Sequence, residues 1–443
     1  MPSPPQPPPP ALDSAVAKVK WRVLPLFIVM FVVNYIDRVN ISFIQQHLRT
    51  DLGLDSEAYG FGAGLFFIGY AFFEVPANLA LERLGARSWL AAIALVWGLM
   101  AALMAFVQTP QQFYLMRFLL GAAEAGFFPG VVYYFTRWLP AAQRGRAMAL
   151  FLSGSSIGAI VSGPLSGWLL TFGGDWLKGW QVMLLLEGAF SIVIAVVARW
   201  WLDSLPADAA WLSGEEKGAL EEAIAADGGG AARRPGGRHV TAWRLLADPQ
   251  IVLFCVIYFA VQLTIYAATF WLPKIIRSMG DLTDFQVGLL NSVPWLVSIV
   301  GVYLAAAGAA RFRHQQAWVA GALVVAGLGM FLATIGGPVE SFLAICVAAL
   351  GFKSAAALFW PIPQGYLDPR IAAAAIALVN SVGNLGGFVA PATFGWLEKH
   401  TGSIERGLHG LAVTSLAAAG LVFLARTRPR PADDRPGGPP TPA

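Results

Sequence analysis

Apolar residues along this chain fall into twelve long stretches, and all but one of the connectors between them are short and polar. A helix needs about 20 mostly apolar residues to cross the hydrocarbon core of a bilayer. Each stretch meets that length, so the pattern predicts twelve membrane-spanning helices. The predicted spans cover residues 22–44, 59–81, 87–107, 112–135, 145–170, 179–202, 250–272, 285–306, 315–335, 339–361, 371–396 and 407–425.

The exceptional connector is a polar insert over residues 203–249. It divides the chain into two predicted bundles of six helices each, residues 22–202 and residues 250–425. Within the insert, Ser213–Ala226 begins with a helix-capping serine and alternates acidic with apolar residues, which predicts a surface helix on a cytoplasmic linker.

Composition supports a membrane location. Apolar residues make up 57% of the chain and charged residues only 13%, against roughly 25% charge in soluble globular proteins. A water-soluble protein of 443 residues cannot bury this much apolar surface, so lipid must cover much of it. Both ends, residues 1–21 and 426–443, are rich in proline and predict disordered tails.

Few residues indicate catalytic or metal chemistry. Cys255 and Cys346 lie inside apolar stretches and the histidines are scattered over loops, so no metal site is predicted. Gly154–Gly158 matches the G-x-S-x-G hydrolase motif, but it lies within a predicted membrane helix and lacks the strand-turn-helix context. No phosphate-binding loop is present in the sequence. We therefore expect a protein that is not an enzyme and has no cofactor.

Lysine and arginine are distributed unequally along the chain. With both termini in the cytoplasm, twenty lie in cytoplasmic segments, six on the opposite side and four within the spans. Cytoplasmic loops of membrane proteins carry such an excess of positive charge. The asymmetry predicts a multi-pass protein of the cell inner membrane, and it accounts for the net charge of +4 without a nucleic-acid partner.

The two halves of the chain repeat weakly. A shift of 228 residues aligns 147–169 with 375–397, and nine of these 23 positions are identical. This pairs the fifth span with the eleventh, and parallel six-helix repeats are typical of one large class of secondary transporters. The same shift places Lys353 on Ala125, beside Glu124.

The first and fourth spans carry charged side chains, which are costly inside a membrane and indicate function. Asp37 and Arg38 lie in the first span, and Arg117 and Glu124 share one face of the fourth. Burial favours the protonated form of a carboxyl group, whereas a nearby arginine favours the charged form. An anion that occupies the arginine would thus promote protonation of the carboxylate. The alternative is a pair of structural ion pairs, Asp37 with Arg117 or Glu124 with Arg38.

The second half differs, because its spans hold mainly amides and aromatic residues. These polar candidates are Gln262, Tyr266, Trp360, Asn380 and Asn384. Lys353 in the tenth span is the exception, and we expect it to add positive charge to a central cavity. The alternative is that its side chain extends along the lipid-facing surface. Three basic and two acidic residues would give the cavity a charge of +1, rising to +3 when both acids are protonated.

The segment Gly69–Trp89 resembles the signature between the second and third helices of the major facilitator superfamily. The resemblance implies that this segment forms a gate at the cytoplasmic ends of the helices. The gate residues of this sequence are Asn78, Glu82, Arg83, Gly85 and Arg87, with Glu74 one turn earlier in a gate or packing network and Ala86 departing from the signature.

Five further stretches are similar to the anion:cation symporter family within that superfamily. They are Asn34–Ser42, Arg117–Gly130, Asp208–Lys217, Phe270–Ile275 and Asn380–Pro391. The resemblance covers the chain apart from its tails. It implies import of organic anions such as tartrate-like dicarboxylates, phthalate, hydroxyphenylacetate or sugar acids, with the proton as the coupling ion.

The resemblance also implies roles for individual residues. Asp37 and Glu124 correspond to proton carriers, and Arg38 and Arg117 correspond to arginines that bind the carboxylate or couple it to the proton. The substrate-site positions are Tyr35, Tyr70, Gln262, Trp360 and Asn380, and the sequence pattern adds Lys353 and Asn384.

The sequence therefore predicts a monomeric transporter in the lipid bilayer that takes up a small organic anion together with protons. Two bundles rock to give alternating access around a cavity lined by spans 1, 4, 7 and 10. One alternative is a proton antiporter that exports drugs or metabolites, because Gly163–Gly167 partly matches an antiporter glycine-proline motif. The other alternative is an anion sensor that does not transport.

Overall fold

The computed structural model describes residues 10–227, 245–312, 314–367 and 369–426. The regular secondary structure in these ranges is helical, which confirms the predicted all-α class. Ten of the helical segments are long and apolar enough to cross a membrane. The first and last long helices fall outside that criterion but pack within the bundle of their own half, which is consistent with a fold of twelve spans.

The helices of the N-terminal half are α1 (Pro10–Val39), α2 (Gln45–Leu52), α3 (Ser56–Leu84), α4 (Ala86–Leu103), α5 (Pro110–Glu124), α6 (Phe127–Trp138), α7 (Ala141–Leu169) and α8 (Gly179–Trp201). The linker contributes α9 (Gly214–Ala226). The helices of the C-terminal half are α10 (Pro249–Arg277), α11 (Asp284–Phe312), α12 (Gln315–Leu332), α13 (Pro338–Phe359), α14 (Pro361–Tyr366), α15 (Pro369–Asn384), α16 (Gly386–Thr401) and α17 (Glu405–Val422).

Two predicted spans are interrupted rather than continuous. The fourth breaks after α5, because Pro129 lacks the N–H group that would bond to the carbonyl of Ala125. The helix of the tenth ends at Phe359, close to the predicted end at residue 361, and α14 follows from Pro361. The eleventh breaks at Leu385, ahead of Gly386, where two successive glycines weaken the helix.

The N-terminal boundary is also corrected. The first helix begins at Pro10, so the prediction that residues 10–21 are disordered is wrong. This extension buries Val19 and contacts α9. The remaining parts of the predicted tails, 1–9 and 427–443, lie outside the described residues.

The linker helix α9 forms as predicted and attaches to the N-terminal half. Its capping Ser213 accepts a hydrogen bond from the backbone of Glu216 at 3.2 Å, and the Glu216 carboxylate accepts one from the Ser213 backbone at 2.8 Å. Glu216 also binds Lys18 and Ser14 of α1, each at 2.7 Å. The hydrogen bonds from Lys18 and Ser14 lower the pKa of Glu216 to about 2.

The two halves meet at the end of the helices opposite the linker, which we call the sealed end. There α3 packs against α16, and α7 packs against α11. A Cβ atom on Gly60 would lie 2.1 Å from the carbonyl oxygen of Pro391, and one on Gly163 would lie 2.3 Å from that of Gly288. Within the described ranges, every such glycine contact between the halves lies at the sealed end. The halves therefore close there and separate toward the linker end.

Polar contacts reinforce the sealed end. The Lys399 ammonium lies 2.7 Å from Glu57 and 3.0 Å from Asp55 of the other half. The Ser56 hydroxyl donates to Glu398 at 2.7 Å. These contacts are partly exposed, so each adds little on its own, and the glycine packing sets how closely the halves approach.

We expect Gly60→Ala to shift the protein toward a state in which the sealed end is open. The added methyl group meets a backbone carbonyl that has no alternative rotamer, and such overpacking costs about 1–3 kcal/mol. Distances between spin labels on α2 and α16 should lengthen. Gly321→Ala is the control, because its Cβ atom meets nothing within 4 Å. Equal distances in the two variants would contradict the prediction.

We expect Glu216→Gln to release the first turns of α1 from the linker helix. Because the pKa of Glu216 is lowered, its contribution is complete above the ordinary value of about 4.3 and is lost only as the pH falls toward about 2. At pH 7 the variant should therefore show faster backbone hydrogen exchange over residues 10–21. Glu215→Gln, on the exposed side of the same helix turn, should leave that exchange unchanged.

Acidification on the sealed side should weaken the closed end through His47. Its Nε2 is 3.6 Å from Asp284 of the other half, and its Nδ1 is buried without a hydrogen-bond partner. Burial lowers the pKa of His47, and the charge of Arg277 lowers it further. The carboxylates of Asp284 and Asp51 raise it, but the net shift of the pKa is downward. Protonation therefore favours the open end, and closure weakens as the pH falls below the ordinary value of about 6.5. Spin-label distances measured from pH 8 to 5 should report this, and His47→Gln should flatten the dependence. An unchanged dependence in that variant would refute the assignment.

Candidate functional site

Arg38, at the end of α1, is the centre of the polar site. Its Nη2 lies 3.1 Å from Oε2 of Glu124 and donates to Oδ1 of Asn34 at 3.3 Å. The Glu124 side chain is completely buried, whereas that of Arg38 is 17% exposed. Glu124 is the last residue of α5, and a helix C-terminus disfavours negative charge. The guanidinium group compensates that charge. Of the two ion pairs considered above, this one is present.

Arg117 is fully buried but is bound to backbone groups. Its Nη2 donates to the carbonyl of Arg38 at 3.4 Å and to that of Ala63 at 3.3 Å. Within the described residues no ion pair joins it to Asp37, so the second pair considered above is absent. Arg117 thus holds α1, α3 and α5 together on the sealed-end side of the Arg38–Glu124 ion pair.

Aromatic rings pack against both arginines. The Phe66 ring centroid is 5.0 Å from the guanidinium carbon of Arg38 and 5.1 Å from that of Arg117. The Tyr70 ring is 5.4 Å from Arg38, which places this predicted substrate residue beside the ion pair. Stacking of this kind holds a guanidinium plane and leaves its N–H edge available to a planar anion.

Asp37 belongs to a second, separate cluster between α1, α7 and α8. It is completely buried and accepts a hydrogen bond from Ser191 at 2.5 Å, while its other oxygen has no partner in the described structure. Nearby, Glu187 accepts hydrogen bonds from Asn40 at 2.8 Å and from Ser166 at 2.9 Å. The sequence analysis missed Ser191. Its spacing of four residues from Glu187 on one helix face was the available signal.

Polar residues of the C-terminal half come together at the helix interruptions. The Gln262 amide donates to Asn384, the last residue of α15, at 3.4 Å. Asn380 lies one turn earlier on the same face and is half-buried. Trp360 follows α13 and its ring packs 4.7 Å from that of Tyr258, one turn before Gln262 on α10. Three of the predicted substrate-site residues, Trp360, Asn380 and Asn384, thus lie at or near helix ends in the tenth and eleventh spans.

Two contacts mark the boundary of the site toward the sealed end, where the halves meet. The Tyr266 ring lies 4.4 Å from that of Phe67 on α3. Tyr35 lines a small cavity of about 10 Å³ together with Asn291 and Trp295 of α11, which is room for about one water molecule. Between this boundary and the sealed end the structure is closed.

Lys353 lies midway along α13 and is half-buried. Its ammonium is 5.1 Å from the ring centroid of Trp295, which is only 4% exposed. A side chain that extends over a lipid-facing surface would not reach this buried ring. This contact is an observation against the lipid-facing alternative, and the place of Lys353 at a substrate cavity stays a prediction.

The predicted gate residues lie at the linker end of α3 and α4. Gly85 ends α3 with φ +75°, a conformation that favours glycine. The Arg87 guanidinium donates to the carbonyl of Arg199 at the end of α8 at 2.9 Å, and Arg83 is exposed. The side chain of Glu82 lies outside the described residues, and Glu74 and Asn78 are half-buried. The contact of Arg87 stays within the N-terminal half, so the gate between the halves remains a prediction.

The site as a whole offers an ion pair, a separate carboxyl group with a hydroxyl donor, and amides and rings from the other half. Over the described ranges, no group of three His, Cys, Asp or Glu residues is placed to hold a metal ion. The side chains present are suited to binding an anion and accepting protons.

Comparison with known proteins identifies the family. The family model of the Major Facilitator Superfamily matches residues 26–391. The Quinolone resistance transporter of Acinetobacter baumannii is 38% identical over 411 residues, covering 92% of this chain and 94% of the relative. A relative from Agrobacterium vitis, provisionally named as a tartrate transporter, is 37% identical over 94% of this chain and 93% of its own. The Inner membrane transport protein RhmT of Escherichia coli is 34% identical over 94% and 96%.

Solved structures share the fold. The inward open xylose transporter XylE from E. coli has a TM-score of 0.73 at 14% identity, covering 94% of this chain and 98% of its own. An inward-facing bacterial homologue of the lysosomal transporter Spinster also gives 0.73 at 15% identity, covering 91% and 96%. Fold, family match and relatives agree with the resemblances found in the sequence. The chain belongs to the Major Facilitator Superfamily, and it is a multi-pass membrane transporter of small organic substrates rather than an enzyme.

Proposed function

We propose that this transporter takes up a small organic anion together with protons. The observation that carries the proposal is the buried ion pair of Arg38 and Glu124. A carboxylate of the substrate and the carboxylate of Glu124 compete for the same guanidinium. When the substrate binds Arg38, Glu124 loses its partner and takes up a proton. Anion binding and proton binding then favour each other.

The charge of the site supports the same direction. Arg117 has no carboxylate partner among the described residues and stays positive behind Arg38. With both acids protonated, the site carries more positive charge than with both ionised, so an anion binds best after protons have bound. Asp37 is the second proton carrier, and the Ser191 hydroxyl at 2.5 Å stabilises its ionised form once the proton leaves.

Alternating access completes the cycle. The two bundles are closed at the sealed end, as expected of one state of a rocking transporter. The charge asymmetry of the loops assigns the linker end to the cytoplasm, so this state releases substrate and protons inward. We place the protein, as a monomer, in the bacterial inner membrane with both termini in the cytoplasm. The proton is the coupling ion and no cofactor takes part.

The C-terminal half supplies the contacts that select the substrate. The linked amides of Gln262 and Asn384 donate and accept hydrogen bonds, which suits hydroxyl groups, and Trp360 offers an aromatic face. Asn380 adds a third amide. A hydroxylated or aromatic carboxylate such as tartrate, a sugar acid, phthalate or hydroxyphenylacetate fits this set. The name of the Agrobacterium vitis relative points to the same class.

Export is the second candidate function. One relative, 38% identical, is named for quinolone resistance, and Gly163–Gly167 of α7 partly matches the antiporter motif. In this chain Gly163 packs against the backbone of Gly288 at the sealed end, where it would serve closure in either transport direction. The motif therefore does not outweigh the ion pair.

Purified protein in liposomes distinguishes these functions. With labelled tartrate, phthalate and a sugar acid outside, an inward proton gradient of one pH unit should concentrate the substrate about tenfold for each coupled proton. Entry against the gradient of the anion supports symport. Exit driven by the same proton gradient would establish export, and binding without flux would establish a sensor.

Substitution of the two acids tests the coupling itself. Glu124→Gln and Asp37→Asn should each reduce accumulation about tenfold at one pH unit, because neither amide carries a transported proton and each variant loses one of the two coupled protons. Glu340→Gln, at an exposed acid at the start of α13, is the matched control and should accumulate normally. Full proton-driven accumulation by both site variants would overturn the proposed coupling.

A further inference from the structure

Lys353 is a charged group inside the membrane with an unusual environment. The ammonium lies 5.1 Å from the ring centroid of Trp295 on the neighbouring helix α11. In the described part of the chain, no carboxylate lies within 4.0 Å of it. The face of an indole attracts a cation but carries no net charge. Among the described residues, no carboxylate therefore neutralises the Lys353 ammonium.

The surroundings of Lys353 direct it toward the site. It precedes Trp360 by seven residues, which places the two on one face of the tenth span. Trp295, which it contacts, lines the small cavity with Tyr35 and Asn291. Tyr35 belongs to α1, the helix that carries Arg38. Through its contact with Trp295, the ammonium lies next to a ring that lines this cavity from the C-terminal half.

The two halves contribute cations of different kinds. Arg38, from the N-terminal half, already holds the carboxylate of Glu124. Lys353, from the C-terminal half, holds none. An isolated ammonium at this depth is costly, and a bound anion would offset that cost without the displacement of a protein carboxylate.

We propose that Lys353, seated on Trp295, binds a second anionic group, so that the preferred substrate is a dianion held by Arg38 at one end and by Lys353 at the other. This deepens the proposed function and rests on it. A dianion links the N-terminal half to the C-terminal half by charge at both ends. A monoanion is bound by charge in one half only and leaves the lysine unneutralised. The dianion therefore also favours the state in which both halves enclose the substrate.

Matched ligand pairs test the inference by binding alone. Tartrate and threonate differ by one carboxylate replaced with a hydroxymethyl group, and phthalate and benzoate differ by one carboxylate. Competition binding to the purified full chain should give a dianion preference of about 10- to 100-fold in each pair, the range of a hydrogen bond to a charged group. Equal affinities within both pairs, or tighter binding of the monoanions, would overturn the proposal without any variant.

Variants then assign that preference to the lysine. Lys353→Met should reduce the ratio of dianion to monoanion affinity to about one, whereas Lys353→Arg should retain most of it because the charge remains. Trp295→Leu should lower this ratio in part, since the ammonium loses its contact with the indole ring. An unchanged ratio in Lys353→Met would refute the assignment. Failure of all four anions to accumulate with a proton gradient would instead reject the proposed symport, whatever the binding ratio.

Discussion

The ion pair between Arg38 and Glu124 is the interaction on which the rest of the site depends. The Glu124 side chain is completely buried, so removal of Arg38 leaves a buried charge uncompensated. Glu124 ends a helix, which adds to its need for a cation. Arg38 is held by Arg117, which binds its backbone carbonyl, and by the Phe66 ring. A ligand anion that approaches Arg38 meets an occupied guanidinium, and this competition is what can join anion binding to proton binding.

The closure of the sealed end follows a different physical rule. Glycines such as Gly60 and Gly163 bring one backbone against another, and backbone carbonyls cannot change rotamer to relieve a clash. The two halves therefore either meet fully or separate, which suits a protein with discrete states. The surrounding ionic contacts are partly exposed and modulate the balance, and we expect the half-buried His47 to make it sensitive to pH. The arginine site lies below this closure, on the open side.

Helix interruptions explain why the polar groups lie where they do. Glu124 and Asn384 are each the last residue of a helix, and Trp360 separates two helices. The hydropathy pattern treated these spans as continuous, because an average over about 20 residues is insensitive to a single proline or to two glycines. The prediction of a disordered N-terminus failed for a related reason. Val19 becomes helical and buried only because α9 is present to cover it.

The sequence by itself determined the class of this protein and most of the residues at its site. Length and spacing of apolar stretches fix the spans, since the bilayer sets one thickness for all of them, and charges inside such stretches identify Asp37, Arg38, Arg117 and Glu124. The tertiary structure decided which of these groups are partners. It pairs Arg38 with Glu124, hydrogen-bonds Asp37 to Ser191, and places the Lys353 ammonium against the ring of Trp295. Partners across helices depend on how the helices pack, and a one-dimensional pattern does not contain that packing.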